Sequence, residues 1–206
     1  MSGPFIPPPF ILGLTGSIGM GKSAVAQMLR DEGVPIFDAD AEVHRLQGPG
    51  GVLLPMIEAQ FPGTTGPQGV DRAKLGAAVF GNPEALARLE ALIHPMVNAA
   101  RMQFLRANAE APLVVFDLPL LFEKSNATVD AVAVVSAPAQ AQRERVLARP
   151  GMSEEKFDKI LALQMPDQEK RARADYVIDT GCSLEETRAA VKALVAGLLA
   201  RAESRD

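Results

Sequence analysis

The chain lacks a second cysteine. Cys182 stands alone, which excludes an intrachain disulfide and any zinc site assembled from thiolates. It has no hydrophobic run of the roughly 18–20 residues required to cross a bilayer. Its N-terminus, Met1-Ser2-Gly3-Pro4-Phe5-Ile6-Pro7-Pro8-Pro9, has neither the basic start nor the apolar core of a secretory signal. The expected location is therefore the cytoplasm, with no membrane association. An excess of positive charge is missing as well. The net charge is −4, which argues against a surface that coats nucleic acid. There is no internal repeat, and nothing points to an obligate protein partner. What is present is a chain of 206 residues, nearly half of them apolar. That is enough for one sizeable α/β domain carrying small inserted subdomains.

One stretch is specific. Gly16-Ser17-Ile18-Gly19-Met20-Gly21-Lys22-Ser23 fits Gly-x-x-x-x-Gly-Lys-Ser/Thr, the phosphate-binding loop or P-loop. Before it runs Phe10-Ile11-Leu12-Gly13-Leu14-Thr15, apolar and of strand length. After it comes Ala24-Val25-Ala26-Gln27-Met28-Leu29-Arg30, a helix pattern with Val25, Met28 and Leu29 on one face. The spelling follows from the chemistry. Gly16 and Gly21 let the backbone fold tightly round a phosphate, so that successive N–H groups point inward. The helix that follows adds the positive end of its dipole. Lys22 supplies a mobile ammonium for the outer phosphates, and the Ser23 hydroxyl can ligate Mg²⁺.

A second strand, expected at residues 33–37, runs directly into Asp38-Ala39-Asp40. In open parallel sheets ligands sit outside the carboxyl ends of the strands, so these acids emerge on the phosphate side. One of them can cap the helix expected at residues 41–46. A cap needs only one acid, and the other is left for a functional role.

From residue 48 the pattern changes. Gly48-Pro49-Gly50-Gly51 breaks the chain and Phe61-Pro62-Gly63-Thr64-Thr65-Gly66-Pro67 breaks it again. Helices are expected at 52–60 and 71–80, and Asn82-Pro83-Glu84 opens a longer one that Pro95 is expected to kink. No strand is expected in this segment, which reads as a helical insert suited to substrate recognition. The sheet resumes with Ala111-Pro112-Leu113-Val114-Val115-Phe116-Asp117, a buried-strand run ending in an acid, the form of a Walker B segment. The apolar stretch Leu118-Pro119-Leu120-Leu121-Phe122-Glu123 is either plain core or the wall of a pocket. A fourth strand is expected at 129–135. Gln142, Arg143, Arg145 and Arg149 follow on a helix that Pro150-Gly151 ends, and Ser153 caps the next. These arginines form either a solvated face or a lid that closes on phosphates, where a guanidinium can clamp two oxygens at once. The last strand is Tyr176-Val177-Ile178. Ser183-Leu184-Glu185-Glu186 then caps a closing helix with Val191, Leu194, Val195 and Leu198.

The order predicts an α/β protein of the P-loop NTPase kind. Its three layers, α/β/α, are built on a five-stranded parallel sheet, with a helical substrate-binding insert and a helical lid. The expected divisions are a Pro-rich lead-in at 1–9, a nucleotide-binding core at 10–47 and the insert at 48–110. Core resumes at 111–137, the lid occupies 138–166, and 167–206 holds the last strand and the C-terminal helix.

With these residues assembled, the chain resembles the dephospho-CoA kinase family of the P-loop nucleoside and nucleotide kinases. The landmarks are Leu14-Thr15-Gly16-Ser17-Ile18-Gly19, Asp38-Ala39-Asp40, Asp71-Arg72, Val79-Phe80 and Leu89-Glu90-Ala91-Leu92-Ile93-His94-Pro95. To these add Asp117 through the Pro119-Leu120-Leu121-Phe122-Glu123 signature, Gln164, and Ala174-Asp175-Tyr176-Val177-Ile178. The resemblance implies transfer of the ATP γ-phosphoryl group to the ribose 3′-hydroxyl of dephospho-CoA, the last step of coenzyme A synthesis. Mg²⁺ would accompany ATP, and the partners would be small molecules only. It implies that Gly16 and the run Gly19, Met20, Gly21, Lys22, Ser23 and Ala24 hold ATP, with Ser23 on the metal and Asp38 supporting the metal shell. Asp40 would be the catalytic acid–base group that orients the 3′-hydroxyl proton, and Arg143 and Arg149 would join Lys22 in stabilising the transferring charge. The insert would bind the CoA moiety, with His94, Leu120, Leu121 and Phe122 near the acceptor. Ser17, Met20, Ala24 and Thr180 depart from the commoner family pattern, and none of these changes removes a group needed for transfer.

Two rivals share features of this reading. Another small-molecule P-loop kinase, for a nucleoside monophosphate or a sugar acid, would differ only in the insert and the Pro119-Leu120-Leu121 region. A regulatory GTPase would need Asn-Lys-x-Asp and Asp-x-x-Gly, and neither tetrapeptide occurs.

Overall fold

The computed structural model of the chain describes residues 8–124 and 127–204, so most of the Pro-rich lead-in, residues 1–7, lies outside the described residues. From the N-terminus run β1 (Phe10–Thr15), α1 (Lys22–Asp31), β2 (Ile36–Asp38) and α2 (Ala39–Gln47). Then come α3 (Leu54–Gln60), the short β3 (Thr65–Gly66) and β4 (Gly69–Val70), α4 (Arg72–Val79) and the long α5 (Pro83–Ala107). The remainder is β5 (Leu113–Asp117), α6 (Leu121–Lys124), β6 (Ala131–Ser136), α7 (Ala139–Leu147), α8 (Glu154–Ala162), α9 (Asp167–Arg173), β7 (Tyr176–Asp179) and α10 (Leu184–Glu203). They form two compact units: Asp38–Ala107, and the chain on either side of it.

The flanking unit holds a five-stranded, all-parallel sheet in the order β2-β5-β1-β6-β7. Central β1 pairs with β5 through Leu14↔Asp117 and with β6 through Leu14↔Ala133. β5 is buried along its whole length, as expected of a strand covered on both faces, and for that reason its sequence is a continuous apolar run. Leu12, Leu14, Val115 and Val135 pack with Val25, Met28 and Leu29 of α1 and with Val191, Val195 and Leu198 of α10. The Ser183 hydroxyl accepts the Glu186 N–H at 3.2 Å, and Glu186 Oε2 accepts the Ser183 N–H at 2.9 Å. This reciprocal capping box starts α10 where the sequence places it.

The other unit is organised on α5, against which α2, α3 and α4 pack. Its separate core joins Leu46, Leu53, Ile57, Phe61, Leu75, Ala85 and Leu89. Asn82 Oδ1 accepts the Ala85 N–H at 3.0 Å, capping α5, which runs through Pro95 without a break. Two features differ from the sequence reading. The unit begins at Asp38 and not at 48, because Leu46 belongs to its core and the Leu53 N–H returns to the Leu46 carbonyl at 3.2 Å. The turn at Gly48-Pro49-Gly50-Gly51 is thus internal. A strand pair also exists where none was expected: β3 and β4 form an antiparallel hairpin, Thr65↔Val70 and Gly66↔Gly69. Strands of two residues are too short to show alternation, so the segment read only as a chain break. Glu58 supports it by accepting the Gly63 N–H at 2.7 Å and the Thr65 hydroxyl at 2.6 Å, and these bonds hold its carboxyl below the usual range. Among the described residues no helix is long and apolar enough to cross a membrane.

Candidate active site

Between the end of β1 and the start of α1 the chain makes its phosphate-binding turn. Gly19 and Gly21 have φ of 79° and 86°, left-handed values that side chains disfavour. Space forbids a side chain at Gly19 as well, since a Cβ there would lie 2.5 Å from Val146 Cγ2. Gly21 caps α1 with no side chain bonded to the helix end. The Lys22 and Ser23 N–H groups are therefore available to an anion, as is the positive end of the dipole, whereas the Ala24 N–H already meets the Gly21 carbonyl at 3.0 Å.

Lys22 opens α1, and its ammonium is held by Asp117 Oδ1. The parallel register explains the meeting, because Asp117 ends β5 directly beside Leu14 of β1. Asp117 is nearly fully buried and Lys22 is partly exposed, so a buried anion holds a cation at the mouth of the loop. Ser23 and Ala24, next on the helix, are exposed. Gly16 is buried behind the loop against the Val135 carbonyl.

The loop is braced from segments distant in the chain. The Thr180 hydroxyl donates to the Met20 carbonyl at 2.7 Å. Arg145 donates to the Thr180 carbonyl at 2.6 Å and to its hydroxyl at 3.1 Å. Met20 is itself core, 2% exposed, and its sulfur accepts the Ala137 N–H. Met20 and Thr180, both departures from the commoner family pattern, thus carry the loop's support. Ile18 is bonded on both its backbone groups, to Gln142 of α7 and to Gln164 just after α8.

The other candidates divide clearly. Arg143 ion-pairs with Glu154 at 2.6 Å and approaches Asp158 at 3.9 Å, tying α7 to α8. Arg149 is exposed just past the end of α7. Of the apolar stretch after β5, Leu121 is buried and lies over Gly13 of β1, whereas Leu120 and Phe122 are half-buried. One member of that wall is therefore core. In the Asp38–Ala107 unit, Asp38 Oδ1 accepts the Ala41 N–H at 2.9 Å and caps α2. Asp40 is exposed in the first turn of α2, and its carbonyl is met by His44 Nδ1 at 2.7 Å. His94 is exposed on α5.

Sequence reasoning missed one group of consequence. Lys170, on the unanticipated α9, is fully buried and lies 2.8 Å from Glu123 Oε1, which also accepts the Met165 N–H at 2.8 Å. Burial alone would push the Glu123 carboxyl up. Contact with the Lys170 ammonium and the Met165 N–H outweighs it and holds the group below the usual carboxylate range. Lys170 sits in the run Lys170-Arg171-Ala172-Arg173, which reads as a solvated face, and only its burial distinguishes it.

The family model for dephospho-CoA kinase (CoaE) matches residues 10–186. A dephospho-CoA kinase of Novosphingobium aromaticivorans is 67% identical over 188 residues, 91% of this chain and 94% of its own length. Among solved structures, TT1252 from Thermus thermophilus matches with a TM-score of 0.82 at 39% identity, covering 93% of this chain and 99% of that one. Dephospho-CoA kinase from Campylobacter jejuni matches at 0.62 and 25% identity, over 91% and 96% of the two chains.

Proposed function

The chain belongs to the dephospho-CoA kinase family, and from that premise we propose how its residues divide the chemistry. It is an ATP-dependent kinase that transfers the γ-phosphoryl group to the ribose 3′-hydroxyl of dephospho-CoA, yielding coenzyme A. The observation that carries the assignment of roles is the uncapped start of α1 with Lys22 held by Asp117. The N–H groups of Gly19, Gly21, Lys22 and Ser23 bind the ATP phosphates, the Met20 and Ala24 N–H groups being held by the Ser17 and Gly21 carbonyls, and Lys22 moves from Asp117 to the outer phosphates. Phosphoryl transfer asks little covalent work of a protein and much charge stabilisation. Lys22 supplies that stabilisation, together with Arg149 and with Arg143 once it leaves Glu154.

Mg²⁺ favours hard oxygen donors and takes only one or two from the protein, the rest coming from phosphates and water. The Ser23 hydroxyl and the Asp117 carboxylate fit that donor set and would hold the ion, with Asp38 supporting its shell through the oxygen not spent on its cap. Bound there, it would neutralise charge on the phosphates. Asp40 accepts the proton of the 3′-hydroxyl. Asp38 is already engaged as the cap of α2, which favours Asp40 for that role. The Asp38–Ala107 unit binds the CoA moiety with His94, and Leu120 and Phe122 present the apolar wall. The enzyme acts in the cytoplasm.

The test is ADP release with Mg²⁺-ATP against dephospho-CoA, AMP, CMP, shikimate and gluconate. Turnover confined to dephospho-CoA, with one phosphate added to the product, is the expected result; turnover confined to another acceptor overturns the reading. Asp40→Asn is expected to lower kcat by about 10²–10⁴-fold, the range for losing a general base, with ATP affinity retained. A near-normal kcat in that variant removes Asp40 from the role.

A further inference from the structure

Ile18 lies at the turn of the loop, and both of its backbone groups are taken by glutamine side chains. Its carbonyl accepts from Gln142 Nε2 at 2.7 Å, and its N–H donates to Gln164 Oε1 at 3.0 Å. These two groups belong to successive peptide planes. Peptide units are planar, and none among the described residues is cis, so the N–H of each plane points opposite to its C=O. Turning the Ile18 carbonyl onto Gln142 therefore turns the Gly19 N–H away from α7. That N–H opens the run of donors assigned above to the ATP phosphates.

Neither glutamine is free to wander. Gln142 is 6% exposed, and Val146, one turn further along α7, packs against Gly19. Gln164 is followed by Met165, whose N–H is held by Glu123 at 2.8 Å. Glu123 is in turn fixed by the buried Lys170. The grip on Ile18 is thus anchored on one side in α7 and on the other in a buried ion pair.

We propose that Gln142 and Gln164 are positioning residues for phosphoryl transfer, presetting the Gly19 N–H for the triphosphate before it arrives. The assignment rests on the nucleotide-binding reading of the loop. Both act through the backbone of Ile18 and not on the reacting atoms. Their roles are opposite: Gln142 donates and Gln164 accepts. A glutamate can accept these bonds but cannot donate them. The same substitution therefore removes the contact at one position and keeps it at the other, while adding equal charge near the phosphates.

The experiment is calorimetric titration of Mg²⁺-ATP, without acceptor, into wild type, Gln142→Glu and Gln164→Glu, with thermal melts of all three. Both variants are expected to bind more weakly than wild type because of the added charge. Gln142→Glu should be the weaker of the two by about tenfold, the scale of one lost hydrogen bond with a group left unsatisfied. In turnover assays its KM for ATP should rise far more than kcat falls, the mark of binding shared by ground and transition states. Equal dissociation constants for the two variants, or weaker binding by Gln164→Glu, overturn the proposal. If Gln142→Glu does not fold, Gln142→Met removes the donor without charge, and unchanged ATP affinity in it overturns the proposal equally. A wild-type protein that binds no ATP overturns the nucleotide reading itself, and this assignment with it.

Discussion

Lys22→Ala is expected to lower turnover with dephospho-CoA by about 10²–10³-fold, the scale for loss of one preorganised charge-stabilising group. The argument has two parts, because Lys22 serves Asp117 as well as the substrate. In the folded protein the ammonium is held by a carboxylate that is 3% exposed. Removing the cation leaves that buried carboxylate without it, and breaking a buried pair from one side costs about 3–5 kcal/mol. The variant should therefore be both slow and less stable. Because Asp117 is itself assigned to Mg²⁺, the two effects are separated by comparing Lys22→Ala/Asp117→Asn with Asp117→Asn alone. The amide removes the buried charge, so the melting temperature of the double variant should return towards that of Asp117→Asn, while its turnover stays well below that of Asp117→Asn. If the double variant turned over as fast as Asp117→Asn, Lys22 would be a structural residue and its place in transfer would fall.

A stability effect of the same size is expected elsewhere, at Lys170. Its ammonium is fully buried against Glu123, and Glu123 Oε2 has no hydrogen-bond partner among the described residues. Lys170→Met should therefore destabilise by about 3–5 kcal/mol, a fall of roughly 6–20 °C in melting temperature for a chain of this size. Adding Glu123→Gln should recover much of the loss, because the amide oxygen still accepts the Met165 N–H while the charge is gone. A double variant no more stable than Lys170→Met would show that packing of the long side chain, and not the ion pair, holds α9. The pH dependence has a definite sign. The Glu123 carboxyl is held below its ordinary value, so its contribution is complete above the unfolded value near about 4.3. It is lost as pH falls from there through the folded value. Chemical-denaturation midpoints of wild type and Glu123→Gln should accordingly converge on acidification below that range and diverge towards neutrality.

Much of the architecture was legible because it depends on short-range rules. The strands at the centre of the sheet announce themselves as apolar runs, and Ser183 with Glu186 spells its own capping box. Asn82-Pro83 likewise marks the start of α5. The P-loop is legible for the same reason, since its glycines answer a local backbone requirement and Lys22 and Ser23 follow immediately. The β3–β4 hairpin was not legible, because strands of two residues have no periodicity to detect. Nor was the start of the helical unit, since Gly48-Pro49-Gly50-Gly51 looks like a boundary until Leu46 is seen to pack with Leu53 and Ile57.

By itself the sequence determined the five strands of the main sheet, the phosphate loop, the acids at the ends of β2 and β5, and the family to which these belong. Tertiary structure alone decided which polar side chain meets which. Ile18 meets Gln164 across 146 positions, Thr180 meets Met20 across 160, and Lys22 meets Asp117 across 95. Periodicity and turn chemistry act over a few residues, so they place a glutamine on a helix without naming its partner. The partner is chosen by the parallel register of the sheet and by the cost of burying a polar group unbonded. That is why Lys170, one of a run of charged letters, and Thr180, at first only a departure from the family pattern, became supports of the site only once the chain had folded.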